Sequence, residues 1–208
     1  MEDKKITERE SLELITAMIR RTKERYIGDG NIMLMWGYLT VIVTALVWIM
    51  LFRTHNPMWN YLWFLIWIIG GTATPIMARK QQDTRMMKSY SDRLTSQIWT
   101  AVGCSAIVVT AMCLGFFLLA GISAWSMMFV FALIIVPFAE IAQGIIVGEK
   151  SLIAGGAVGM TIGIFTTCCI VGHVTLYAEW FMPLFMLAFA AMFIVPGHIL
   201  NHKARKQK

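Results

Sequence analysis

Charge is scarce along most of this chain. Of its 208 residues 14% are Asp, Glu, Lys or Arg, against about a quarter in ordinary water-soluble domains. The first 31 positions hold 14 of the 30 charged groups, and every later one except Glu140 lies in or beside a short polar break between long apolar runs. With 58% of side chains hydrophobic and a mean hydropathy of +0.65, a disordered chain and a cytosolic enzyme are both excluded. Cysteine is equally sparse. The four present (Cys104, Cys113, Cys168 and Cys169) all fall inside apolar runs, so no disulfide framework and no Cys/His zinc spacing can be drawn. They read as small buried hydrophobes. Catalytic patterns are missing as well: the chain has no Gly-Lys-Ser/Thr phosphate loop, no Gly-x-Ser-x-Gly and no carboxylate pair at one depth. We therefore expect no enzyme, no cofactor and no metal. The 16 methionines follow no repeated spacing and read as fillers of apolar gaps.

What the chain does have is apolar length. Runs at about 32–52, 59–77, 98–119, 126–147, 152–173 and 181–200 each approach the roughly 20 residues that cross a bilayer as a helix. None alternates with period two, so helices are expected in place of barrel strands. The fold class is then all-α: a six-helix membrane bundle built as three helical hairpins over 32–200, with a cytoplasmic leader at 1–31 and a basic tail at 201–208. Lys and Arg set the orientation. With the N-terminus inside, 17 of the 18 basic residues fall in internal segments and only Arg53 lies outside, the asymmetry expected of short cytoplasmic loops. We expect a multi-pass protein of the bacterial cytoplasmic membrane with both termini in the cytoplasm and no cleaved signal peptide. The net charge of +6 is accounted for by anionic lipid headgroups and needs no nucleic acid. Tryptophans agree: Trp48, Trp59, Trp125 and Trp180 fall near the outer boundary, and Trp36 and Trp99 near the inner one.

Residues 7 to 27 read as one amphipathic helix. Thr7 and Glu10 have capping-box spacing, and Gly28, Asp29 and Gly30 supply the stop. At 100° per residue, Leu12, Leu14, Ile15, Met18, Ile19 and Tyr26 share one face. That face calls for a second surface: the lipid headgroups, another copy of the chain, or a cytoplasmic protein partner. Arg20, Arg21, Lys23 and Arg25 just before the first span, with Arg79 and Lys80 after the second, form the expected membrane-surface basic set.

Inside the spans, Glu140 is the one charged residue, about 10 Å from the inner end of the fourth span at 1.5 Å per residue. Such a group is costly in hydrocarbon and is either a hydrogen-bonded structural acid or part of an ion, proton or ligand site. Pro137, Gly144 and Gly148 share its stripe, with Gln143 alongside, so the stripe is small, polar and able to kink. His198, on the sixth span, is the nearest candidate partner, roughly 7 Å away in depth. His198 and His202 are four apart without the H-E-x-x-H pattern and read as interface groups. Gly155, Gly159 and Gly163 form a column at intervals of four that lets a second helix approach, from the same bundle or from another copy. Each odd span carries a Gly and a Thr seven apart (Gly37 and Thr44, Gly103 and Thr110, Gly159 and Thr166). Each even span carries an inner proline (Pro75, Pro137, Pro196), as a repeated hairpin or chance would give.

The leader Ser11-Leu12-Glu13-Leu14-Ile15-Thr16-Ala17-Met18-Ile19-Arg20, its glycine-rich stop and Met35-Trp36-Gly37-Tyr38-Leu39 at the head of the first span resemble a family of uncharacterised bacterial polytopic membrane proteins. The resemblance covers residues 11 to 52 and the span count. It implies a cytoplasmic-membrane location and no activity. In size and span number the chain is also similar to the substrate-binding subunits of energy-coupling-factor vitamin transporters, with no ligand motif to carry over and a long amphipathic leader that is not an expected part of that pattern. Two functions stand open at this point: a non-enzymatic regulatory or scaffolding membrane module working through its cytoplasmic helix, and a small-molecule or ion transport component with Glu140 in the pathway.

Overall fold

The computed structural model describes residues 30–83 and 90–206, with the backbone alone for 81–83. The expected amphipathic leader and its basic cluster Arg20, Arg21, Lys23 and Arg25 lie outside the described residues. Those residues form helices and no strands, and six helices are long and apolar enough to span a membrane: α1 (Asn31–Thr54), α2 (Pro57–Lys80), α3 (Tyr90–Ala120), α4 (Ser126–Val147), α5 (Lys150–Val171) and α6 (Ala178–Lys206). The chain is thus a multi-pass membrane protein by length and composition. Hydropathy alone places the α4 ends correctly but starts α3 eight residues late and stops α6 six residues early. Transfer free energy ends with the apolar side chains, whereas backbone hydrogen bonding carries a helix on past them.

Local chemistry sets the turns. Asn56 caps α2 by accepting from the Met58 N–H at 2.9 Å, with Pro57 at the first helical position. Gly148 ends α4 with φ of 75°, and its N–H and that of Glu149 both reach back to the Gly144 carbonyl. That left-handed step reverses the chain at once, so α4 and α5 lie against each other over their whole length. Lys203 of α6 pairs with the buried carboxylate of Glu149 across this turn.

Four helices form the core. α5 packs between α4 and α6, and α1 lies along α6. The α1–α6 seam is polar at one end: the Gly30 N–H donates to Asn201 Oδ1 at 2.9 Å, Asn201 Nδ2 donates to Asn31 Oδ1 at 2.8 Å, and the Tyr38 hydroxyl meets His198 Nε2 at 2.8 Å. The described chain therefore enters and leaves the bundle at one end. Gly30 and Gly197 touch backbone to backbone there, an approach only hydrogen side chains allow. α2 and α3 are different. α2 leans on α1 and α3 on α4, they make no substantial contact with each other, and most of their side chains face outward.

Two core helices are broken in the same way. In α4, residues Phe131–Ile135 form a π-turn in which the Val136 N–H reaches the Phe131 carbonyl. In α6, residues Ala190–Ile194 do the same, with the Val195 N–H on the Ala190 carbonyl. Each turn runs into the triplet Ile-Val-Pro, Ile135-Val136-Pro137 and Ile194-Val195-Pro196. Proline has no N–H to return and its ring displaces the preceding turn, so widening that turn by one residue relieves the clash. Pro75 of α2 sits in continuous α-helix with no such widening.

Candidate functional site

Between α2 and α3 lies a groove of 2720 Å³ that runs along the core from one end of the bundle to the other. Its back wall is an aromatic ladder on α6. Phe181, Phe185, Phe189 and Phe193 follow one another at helical steps of four, with ring centroids 6.0, 4.8 and 5.7 Å apart. The last three line the groove. Sequence reading passed over this column, although its spacing was available there as four phenylalanines on one helical face.

Two tryptophan hydrogen bonds tie the outer helices to the core. Trp36 of α1 donates its indole N–H to Thr74 Oγ1 of α2 at 2.9 Å, and Trp99 of α3 donates to Gln143 Oε1 of α4 at 2.7 Å. Near the other end, rings take over: Trp63 meets Phe129 and Phe185 edge-on at 5.7 and 5.6 Å, and Phe64 meets Trp125 at 5.9 Å. These rings hold α2 at a second level, α3 is tied there by the Cys113 thiol donating to the Ala124 carbonyl at 3.3 Å, and the groove opens between the two helices. Gly71 and Gly103 face each other's side of it with no atom within 4 Å of the space a methyl group would take.

Glu140 occupies a different place. It is fully buried among α4, α5 and α6, it is not part of the groove wall, and neither of its oxygens receives a hydrogen bond. The residues expected beside it are engaged elsewhere: Gln143 serves Trp99, and His198 serves Tyr38 on α1. One of its oxygens borders the gap left by Gly155. A methyl group added at Gly155 would lie 2.6 Å from the Ala191 carbonyl oxygen, 3.0 Å from the Pro196 ring and 3.1 Å from Glu140 Oε1.

The glycine column continues along α5. At Gly159 an added methyl would run into the Met192 thioether and lie 3.2 Å from the Pro137 ring, and at Gly163 it would overlap the Leu133 carbonyl oxygen. Gly155 and Gly163 therefore each receive the carbonyl edge of a π-turn, one from α6 and one from α4. Glycine Cα–H groups are the donors on offer there, a weak contact that recurs at close helix crossings. The column is used inside the bundle. Arg79 and Lys80 lie exposed at the end of α2. Among the described residues no three His, Cys, Asp or Glu side chains gather as a metal set. Compared with family models, with curated proteins and with solved structures, the chain finds no match in any of the three.

Proposed function

We propose that the chain is a non-enzymatic regulatory or scaffolding module of the bacterial cytoplasmic membrane, with both termini in the cytoplasm. In this reading the leader at 7–27 folds as an amphipathic helix that engages anionic headgroups, a second copy or a cytoplasmic protein, and the α2–α3 side of the bundle is its contact surface within the bilayer. The observation that carries it is the separation of α2 from α3: two apolar helices stand off a packed core and leave an aromatic groove with empty space at Gly71 and Gly103. Between its polar ends the wall is largely aromatic and aliphatic, which suits an apolar partner. The basic asymmetry of the sequence supports the orientation.

A photo-crosslinking residue at Gly103, compared in cells with one at the outward-facing Ile164 of α5, tests the groove. A discrete product from position 103 alone is expected; identical products from both positions overturn this contact surface. Deleting residues 1 to 27 should abolish recovery of crosslinked partners, and undiminished recovery removes the leader from the account.

A second reading, transport of a small molecule or ion with Glu140 in its path, rests on the buried carboxyl that receives no donor. Because Glu140 does not wall the groove, such a path would follow the α4–α5–α6 seam. Glu140→Gln should then change flux in reconstituted vesicles, and unchanged flux ends this reading.

A further inference from the structure

A buried carboxyl group is ordinarily met by donors. Glu140 receives none on either oxygen. Its Oε1 and the Ala191 carbonyl oxygen converge on the gap that Gly155 leaves open, with the Pro196 ring beside them. Pro196 supplies no N–H, so the carbonyls four and five positions before it, Met192 and Ala191, lose the donor that any other residue at 196 would offer to one of them. The α6 turn is already widened here, with the Val195 N–H drawn back to Ala190. A carboxyl oxygen with no donor and a carbonyl that proline deprives of one thus border the same gap at Gly155 inside a membrane bundle.

No cationic side chain among the described residues answers that need. On α5, Lys150 is exposed, and Glu149 at its start is paired with Lys203. On α6, His198 bonds Tyr38 and His202 is exposed. On α4 itself, Gln143 is committed to Trp99. A metal ion would require several further oxygens around it. One proton suffices, because it converts the carboxylate from a second acceptor into the missing donor.

We propose that Glu140 is a proton-binding site whose loading closes the α4–α5–α6 junction: the protonated carboxyl donates its O–H to the π-turn carbonyl edge of α6 across Gly155. The step is the addition of H⁺ from water to a carboxylate oxygen to give the acid, and no other bond forms or breaks. Loss of the proton leaves a negative group against a carbonyl oxygen in a low-dielectric seam, which drives α6 away from α5. The companion turn on α4 gives the contrast. The gap at Gly163 is bounded by the Leu133 carbonyl and the Ile134 side chain with no carboxyl among its nearest atoms, so only the α6 turn is proton-operated. The proposal deepens the transport reading of Glu140 but also holds without any flux.

Infrared spectra of the full chain in lipid nanodiscs test it. The wild type should show a carboxylic-acid carbonyl absorption at neutral pH that Glu140→Gln lacks and that disappears as pH rises in sodium-free buffer. The Gln variant keeps a donor toward the same carbonyl and should hold its melting temperature while losing its pH dependence. If the variant fails to fold, the shift of the absorption on ¹³C-labelling glutamate in a full chain whose Glu2, Glu8, Glu10, Glu13 and Glu24 are replaced by Gln identifies its owner, since the glutamates then left beside Glu140 are ion-paired (Glu149) or exposed (Glu179). Absence of the absorption overturns the proposal, and so does its removal by sodium at constant pH, which would make this a metal-cation site. The absorption without altered flux retains the proton site and discards transport; altered flux without the absorption does the reverse.

Discussion

Glycine means opposite things in the two parts of this bundle. In the core, at Gly37, Gly144, Gly155, Gly159 and Gly163, an added methyl group would collide with a neighbouring helix. On the outer helices, Gly103 and Gly115 of α3 and Gly71 of α2 look into empty space, the exception being Gly70 of α2, which lies against the Trp36 ring of α1 where that tryptophan ties the helix to the core. Hydropathy gives both regions equal standing as spans, yet a third or more of the most apolar stretch of α1, α4, α5 and α6 is buried, against 6% for α2 and 11% for α3. A membrane segment needs only length and apolarity to cross lipid, but it needs small residues in register to pack. The core is thus specified by where side chains are missing, and the outer pair by little beyond tryptophan bonds and rings at their ends.

The sharpest way to break this contrast is at Gly163. An alanine there places its methyl on the Leu133 carbonyl, which is backbone and cannot rotate away. Gly163→Ala should therefore cost at least the 1–3 kcal/mol typical of overpacking, and Gly163→Leu should prevent recovery of folded protein. Gly159→Leu should fail likewise against Met192 and Pro137. Thermal melting and size-exclusion profiles in detergent read both. Unchanged melting would mean that α5 does not seat on the broken turns of α4 and α6.

Smaller effects are expected where the outer helices join the core. Gln143→Leu removes the acceptor of the Trp99 indole and should cost about 0.6 kcal/mol, an average for side-chain hydrogen bonds between membrane helices. Its more telling consequence is geometric. Spin labels at positions 71 and 103, in a background without the native cysteines, should report a broader distance distribution while the core melts almost normally. Thr74→Val should do the same from the α2 side by leaving Trp36 without its acceptor. If either change unfolds the core, the division between packed bundle and loosely held outer helices is wrong.

The legible and the illegible parts of this protein differ in physical origin. The six spans could be read because crossing lipid is a property of each segment alone, and Glu140 stood out because one charge in hydrocarbon is conspicuous wherever the chain goes. The glycine column on α5 was visible too, but its neighbours were not: that Gly155 meets Ala191 and Gly163 meets Leu133 depends on which helices pack. Pro137 and Pro196 announced kinks, while the π-turns before them depend on how those kinks are accommodated against α5. Pro75 of α2 and Pro183 of α6 sit in continuous α-helix, so the residue type alone does not dictate the widening. His198 was read as a companion of Glu140 from depth along the helix, and Gln143 from its place beside the same stripe. Depth omits azimuth, and rotation about the axis of α6 sends His198 to Tyr38, while Gln143, one turn on from Glu140, reaches Trp99 of α3.

The smallest expected effect tests the outer helices most directly. Gly103 lies mid-helix in α3 with open space at its Cα, so an alanine there meets no neighbour and restricts the unfolded chain. In a helix interior the exchange is worth roughly 0.5–1 kcal/mol in favour of alanine, and less where lipid already enforces helicity. Gly103→Ala should therefore raise the melting temperature slightly or leave it unchanged, while Gly163→Ala on α5 lowers it. A fall at position 103 comparable to that at 163 would mean that a neighbour fills the groove in the folded protein, and that α3 is packed in the membrane against something other than its own core.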